Sequence, residues 1–372
     1  MPELPEVETV RLGLNNLIVG KTFKTVSHDA KSMPGWHVSY SADTRGSSAP
    51  HFVRQRTSGM LPHEDEAFAD PVSLLATEKV NLAHSKSFPN APADVSAFLI
   101  GASVTAVKRR AKVLLIELSS HYSLVIHLKM TGQMVFIGKP EKQNVERRTK
   151  NEEGRPSSAL DVLRSGSNEV RFGAGHPNDS LVNALPDKST RVEFAFTDGS
   201  KLFFNDQRKF GWVKLIPTVE VPNIDFMRKV GPEPLDASFT AKQFIERLQR
   251  RKNTNIKAAL LDQTVIAGVG NIYADESLWG AKIHPTTLVK DVSTQKLSTL
   301  FTELQYVLNL SIEKGGSSNH TYVNAEGRKG SYMNFARVFR RESLECPRCG
   351  TTIIKLRVAG RGTHICPHCQ KV

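Results

Sequence analysis

The 372 residues carry 50 Lys and Arg against 37 Asp and Glu, a formal net charge of +13. That excess favours a polyanionic partner, nucleic acid first and an anionic membrane surface second. A chain of this length buries a core without relying on disulfides or metal, and no stretch reaches the roughly 18–20 apolar residues of a membrane helix.

The opening MPELPEVETV is acidic and proline-bearing. With no basic or apolar run it reads as neither a secretory signal nor a transit peptide, and the expected location is cytoplasmic, with the nucleoid. Residues 3–19 read as a helix, because Leu4, Val7, Val10, Leu14 and Leu17 recur at steps of three and four. Pro5 suits a first turn, Glu3, Glu6 and Glu8 suit its positive end, and Gly20 stops it. Residues 29–95 are rich in Ser, Pro, Asp, Ala and His with weak periodicity, and read as a surface insertion, largely disordered or loosely packed. The histidines there (His37, His51, His63, His84) match no metal-ligand spacing. Strand patterns follow at 103–108, 112–118 and 122–128. A second polar insertion spans 139–188, and strands resume at 191–197, 201–205 and 211–216, with Asp198-Gly199 as a hairpin turn. Pro217, Pro222, Pro232, Pro234 and Gly231 mark a linker over 217–237. Helical periodicity occupies 240–252, 256–262, 272–280 and 294–313, and short β segments surround the cysteines from about 338. The expected division is a β domain over 1–216, a hinge over 217–237, a helical domain over 238–337 and a cysteine-bearing module over 338–372.

All four cysteines fall in the last 27 residues, as Cys346-Pro-Arg-Cys349 and Cys366-Pro-His-Cys369. Two C-x2-C knuckles at this spacing predict one structural zinc in a four-thiolate ribbon, closed to catalysis; His368 is not needed as a ligand. At the other end, Pro2 permits removal of the initiator methionine and exposure of a secondary amine at a helix start. The positive helix end lowers the pKa of such an amine and leaves more free nucleophile. Its condensation with an aldehyde-like carbon gives an iminium that acts as an electron sink, and the adjacent Glu3 is placed as general acid/base. The same residues also suit a plain helix start with no chemistry.

MPELPEVETV resembles the N-terminus of the formamidopyrimidine-DNA glycosylases. RRAKVLLIEL (109–118), HLKMTG (127–132), DQRKFG (206–211), VGPEPL (230–235), IKAALLDQTVIAGVGNIYADESLW (256–279), His284-Pro285 and the zinc ribbon extend the resemblance in family order. It implies an α+β fold: an N-terminal β-sandwich domain with flanking helices, a hinge, a helix–two-turn–helix domain and a C-terminal β-hairpin zinc finger. It further implies a monomeric DNA glycosylase and AP lyase of base excision repair. Such an enzyme acts on double-stranded DNA containing damaged bases or abasic sites, removes oxidised purines and cleaves by β,δ-elimination. Carried over residue by residue, Pro2 is the Schiff-base nucleophile and Glu3 the acid/base. Lys112 is the active-site lysine, and Arg361 the zinc-finger arginine tied to δ-elimination. Met130, Arg208 and Phe210 would fill the gap left by the flipped nucleotide, and Lys252 and Asn271 would contact phosphate. Read without the family, Met130 and Phe210 also suit a sheet core, and Lys252 a solvated charge.

The chain departs from the family pattern at three places. Lys209 stands where a second arginine is expected, Gln207 where proline is common, and Ser189 where bacterial members often carry a DNA-contacting histidine. Two competing readings are an endonuclease VIII-type enzyme for oxidised pyrimidines and a catalytically silent zinc-ribbon DNA-binding protein. The LPEV start and the Gly315-Gly316-Ser317-Ser318 run favour purines; intact Pro2 and Glu3 argue against the silent protein.

Overall fold

The computed structural model describes residues 2–29, 36–41, 51–54, 86–138, 170–174, 179–317 and 331–372. The chain divides into two compact units, one of Gly13–Lys108 with Leu115–Val219, the other of Met1–Leu12, Arg109–Leu114 and Glu220–Val372.

The first unit is built on two sheets. The strands are β1 (Phe23–Asp29), β2 (Trp36–Ser41), β3 (His51–Arg54), β4 (Val104–Arg110), β5 (Val113–Leu118), β6 (Tyr122–His127), β7 (Gly132–Gly138), β8 (Val170–Ala174), β9 (Thr190–Phe196), β10 (Lys201–Asp206) and β11 (Trp212–Pro217). A seven-stranded sheet runs β3-β2-β1-β9-β10-β7-β8, and a four-stranded sheet runs β11-β6-β5-β4. Strands β6, β7 and β10 are buried at almost every position, so both faces are covered, as a sandwich requires. Phe23 packs on Phe194 and Phe196, and Phe88 reaches Phe194. The predicted Asp198-Gly199 turn closes the β9–β10 hairpin, with Gly199 at φ +84°.

The described parts of the two expected insertions correct the reading of them as loose. Strands β2 and β3 extend the large sheet beside β1, and β8 pairs with β7 at its other edge. Residues 86–99 are packed: Phe88 is fully buried, and Asn90 accepts from Leu215 N at 2.6 Å while donating to Val213 O. The pattern is weak because β2 and β3 are only six and four residues long, too short for a period of two to stand out among polar neighbours. His63, His84 and the basic pair Arg147-Arg148 lie outside the described residues.

The second unit contains the start of α1 (Leu4–Ile18), then α2 (Ala241–Gln249), α3 (Ile256–Leu261), α4 (Asn271–Gly280), α5 (Thr294–Glu313) and the hairpin β12 (Ile354–Val358) with β13 (Arg361–Ile365). Three of the interior helices, α2, α3 and α5, begin where the sequence provides a side-chain cap. Thr240 and Gln243 form a capping box, Asn255 accepts from Ala258 N, and Ser293 from Lys296 N. Helix α2 stops at Gln249 rather than 252, because Arg251 N and Lys252 N bond three residues back instead of four. Leu4 lies in one apolar cluster with Phe244, Leu260, Tyr273, Leu278 and Leu304. Among the described residues no helix is long and apolar enough to cross a membrane.

Candidate active site

The head of α1 is enclosed by its own unit. Pro2 and Glu3 are buried. Leu4 N donates to Gly268 O at 3.0 Å, which seats the helix start on the GVGN turn. Gly268 has φ +78°, a conformation glycine adopts without strain. At Gly270 the reason is space: a Cβ there would fall 2.0 Å from the Glu3 carboxyl carbon.

Glu6 organises this corner. Its Oε2 accepts from Glu3 N at 2.9 Å; its Oε1 accepts from Tyr273 Oη at 2.6 Å and from Ser317 N and Oγ at 2.8 Å. Glu3 has less support. Its Oε1 accepts only a long bond from Ile272 N (3.3 Å), and Oε2 has no hydrogen-bond partner among the described residues. Burial therefore pushes the Glu3 carboxyl up to about 7, against the pull of the Lys112 ammonium and with help from the Glu6 charge. The Lys112 ammonium is itself lowered by burial, opposed by Glu3 and Glu6. It donates to Val269 O at 2.9 Å. Its turn, between β4 and β5, is pinned by Glu233, which accepts from Arg109, Arg110 and Ala111 N while Ala111 turns through φ +53°. The result is a buried acid with a raised pKa beside the backbone of residue 2 and a desolvated lysine bound to the same GVGN turn.

Arg361 is exposed at the tip of the β12–β13 hairpin, after Ala359 and Gly360, both at positive φ. A buried network holds this tip to α4. Lys257, fully buried, donates to Asp275 Oδ1 and Thr363 Oγ1 at 2.6 Å; Asp275 Oδ2 accepts from His364 N at 3.0 Å. Asn271 donates to Gly362 O at 2.9 Å. Thus Glu3, Lys112, Asn271 and the base of Arg361 belong to one unit. Lys252 is exposed in the turn after α2.

In the other unit, Met130, Arg208 and Phe210 come together on the surface. Arg208 Nη1 lies 3.1 Å from Met130 Sδ, and the guanidinium sits 4.9 Å from the Phe210 ring centroid. Pairing of Asp206 with Gly132 brings the two loops to one end of the sheet, and Asp206 ties them by accepting from Thr131 Oγ1 and Gly211 N. Met130 is 39% and Phe210 46% exposed, so neither is sheet core. Ser189 is buried and donates to Asp187 at 2.7 Å.

The cysteine sulfurs of Cys346, Cys349, Cys366 and Cys369 lie within 4.8 Å of one another. The Cys349–Cys366 and Cys346–Cys369 separations, 3.5 and 4.0 Å, bracket the edge of about 3.8 Å that a tetrahedron with zinc–sulfur bonds of about 2.3 Å requires. This is a site for one structural zinc, with all four positions filled by protein. His368 is exposed.

Reasoning from sequence did not single out Glu6, Lys257, Asp275 or Tyr273. A signal existed for two of them: Lys257 and Asp275 interrupt the apolar runs IKAALL and NIYADESLW, where a charge needs a buried partner.

Comparison with known proteins follows this geometry. Residues 1–54 and 73–213 match the formamidopyrimidine-DNA glycosylase N-terminal domain, 230–323 its H2TH domain, and 343–372 the zinc finger found in FPG and IleRS. The formamidopyrimidine-DNA glycosylase of Lactobacillus acidophilus is 32% identical over all of this chain and 99% of its own length. That of Herpetosiphon aurantiacus is 34% identical over the whole of both chains. Among solved structures, a Lactococcus lactis FPG mutant in complex with DNA containing Fapy-dG superimposes with a TM-score of 0.68 at 28% identity, covering both chains completely. The Lactococcus lactis Fpg complex with abasic-site DNA gives 0.67 at 28%, also complete. The fold and the zinc site are those of a zinc-finger DNA glycosylase. The chain belongs to the formamidopyrimidine-DNA glycosylase family, whose members act in base excision repair.

Proposed function

We propose that the protein removes oxidised purines from double-stranded DNA and then cleaves the strand as an AP lyase. With Met1 removed, the Pro2 nitrogen attacks C1′ of the damaged nucleotide, the glycosidic bond breaks, and the base leaves. The cationic iminium on Pro2 then draws electrons through β-elimination at C3′ and δ-elimination at C5′, leaving a one-nucleotide gap. Glu3 moves the protons, Lys112 orients the phosphate beside the amine, and Arg361 assists the second elimination. Met130, Arg208 and Phe210 fill the gap left by the extruded base, offsetting part of its stacking cost. Lys252 and Asn271 hold phosphates. In this reading 1–216 is the catalytic domain, 217–237 the hinge, 238–337 the helix–two-turn–helix domain and 338–372 the zinc finger.

The observation that carries the reading is Glu3: a buried carboxyl next to residue 2, with one oxygen unpartnered and a pKa of about 7, is suited to give and take a proton near neutrality. The damaged-base and abasic DNA in the complexes of the Lactococcus lactis relative supports the substrate class. The test is borohydride trapping on duplexes containing 8-oxoguanine, an oxidised pyrimidine or an abasic site. Covalent adducts on the first and third are expected. Trapping preferentially on the pyrimidine would replace purine specificity, and trapping on none would refute the enzyme.

A further inference from the structure

We propose that the Trp279 indole N–H donates a hydrogen bond to the zinc-bound Cys346 thiolate and so ties the metal site to helix α4. Four thiolates on one divalent ion leave a net double negative charge in a closed site. N–H donors around the sulfurs hold that charge and set how firmly the metal is kept. The knuckles supply several of their own. Cys369 N donates to Cys366 Sγ at 3.4 Å, and Arg348 N and Cys349 N donate to Cys346 Sγ. Trp279 lies in α4, outside the knuckles, and adds a donor from there.

Burial and packing place the indole. Trp279 is 5% exposed and shares one buried cluster with Cys346 and Cys366. Its Nε1 is shut off from solvent, and no acceptor among the described residues meets it in full hydrogen-bond geometry; the atom it faces as a donor is Cys346 Sγ. A buried indole N–H is costly to leave unbonded, and a thiolate on zinc is a stronger acceptor than a thiol. The ring is also fixed in place. The Arg348 guanidinium, from between the two cysteines of the first knuckle, lies 3.8 Å from the ring centroid and donates to Trp279 O at 3.0 Å and Gly280 O at 3.3 Å. The Arg337 guanidinium lies 4.8 Å from the same centroid. The end of α4, the first knuckle and the indole are therefore held as one piece.

The test uses the full chain and needs no DNA, so it stands apart from the proposed activity. In wild-type protein loaded with an NMR-active cadmium isotope in place of zinc, the Trp279 indole proton should show a scalar coupling to the metal through the sulfur. Its resonance is assigned by its absence when benzothienylalanine, which keeps both rings without the N–H, stands at position 279. Trp36 and Trp212 should show no such coupling. The benzothienylalanine protein and Trp279→Phe should each hold zinc about 10–100-fold more weakly against a competing chelator. No coupling in the wild type overturns the proposal. So does a zinc affinity unchanged by benzothienylalanine, including the case where only Trp279→Phe weakens it, which marks packing alone. If Trp279→Phe fails to fold, the wild-type spectrum and the benzothienylalanine protein decide.

Discussion

A carboxyl with one supported oxygen and one orphan is an unusual thing to bury, and Glu3 is such a group. Its protonation ties stability to pH. The folded pKa, about 7, lies above the ordinary value of 4.5, so between the two the fold binds a proton there that the unfolded chain has released. Between those values rising pH costs stability, reaching about 3 kcal/mol above pH 7. Glu3→Gln removes the titration but keeps the acceptor for Ile272 N. The stability difference between variant and wild type, read from denaturant unfolding, should therefore grow in favour of the variant from pH 5 to pH 8. The same variant should bind a lesion duplex and fail to excise the base, which single-turnover assays check. The motif made Glu3 legible from the sequence. Its environment was not legible, because Glu6, Ile272 and Lys112 meet it from distant parts of the chain.

At the scale of elements, the contacts beneath the site are more exacting than the exposed ones. Lys257 and Asp275 are both fully buried, and each is the other's counterion. Removing one leaves the other charged and unpaired. Lys257→Met should cost roughly 3–5 kcal/mol, and the double variant Lys257→Met, Asp275→Leu should recover much of that loss in urea unfolding. At the turn before α4, Gly270→Ala should displace the Glu3 carboxyl and reduce excision, since a methyl group and that carboxyl cannot share the space. Preserved zinc content would separate this effect from general damage. The four interior helices were legible from spacing, whereas the caps at Thr240, Asn255 and Ser293 were not read in advance. Strands β2, β3 and β8 were not legible: β3 and β8 are short edge pieces, and β2 sits in a polar stretch beside β3, so their identity depends on the neighbour they pair with.

Across the whole molecule, the charge of +13 says that the chain suits a polyanion but not which cations meet it. On the proposed reading, Lys252→Ala should flatten the salt slope by about 0.9 for damaged and undamaged duplex alike. Phe210→Ala should leave both that slope and the unfolding midpoint nearly unchanged, because the ring is about half exposed, while preference for the lesion falls. Zinc analysis should return about one ion per chain, and Cys349→Ser should loosen the hairpin that carries Arg361. A metal-free protein with full strand cleavage would contradict that link.

The closed setting of the first residues also has a consequence in time. Leu4 is held by Gly268, Glu6 by Tyr273 and Ser317, so the head of the chain cannot reach its final place until about residue 317 has been made. At roughly 5–20 residues per second that interval lasts on the order of 15–60 s. For all of it the N-terminus remains outside its final site, open to the aminopeptidase that, on the proposed reading, exposes Pro2. Once Pro2 is buried, that access closes. Unprocessed protein, purified in the folded state, should therefore lose Met1 far more slowly than a short peptide of the same opening sequence.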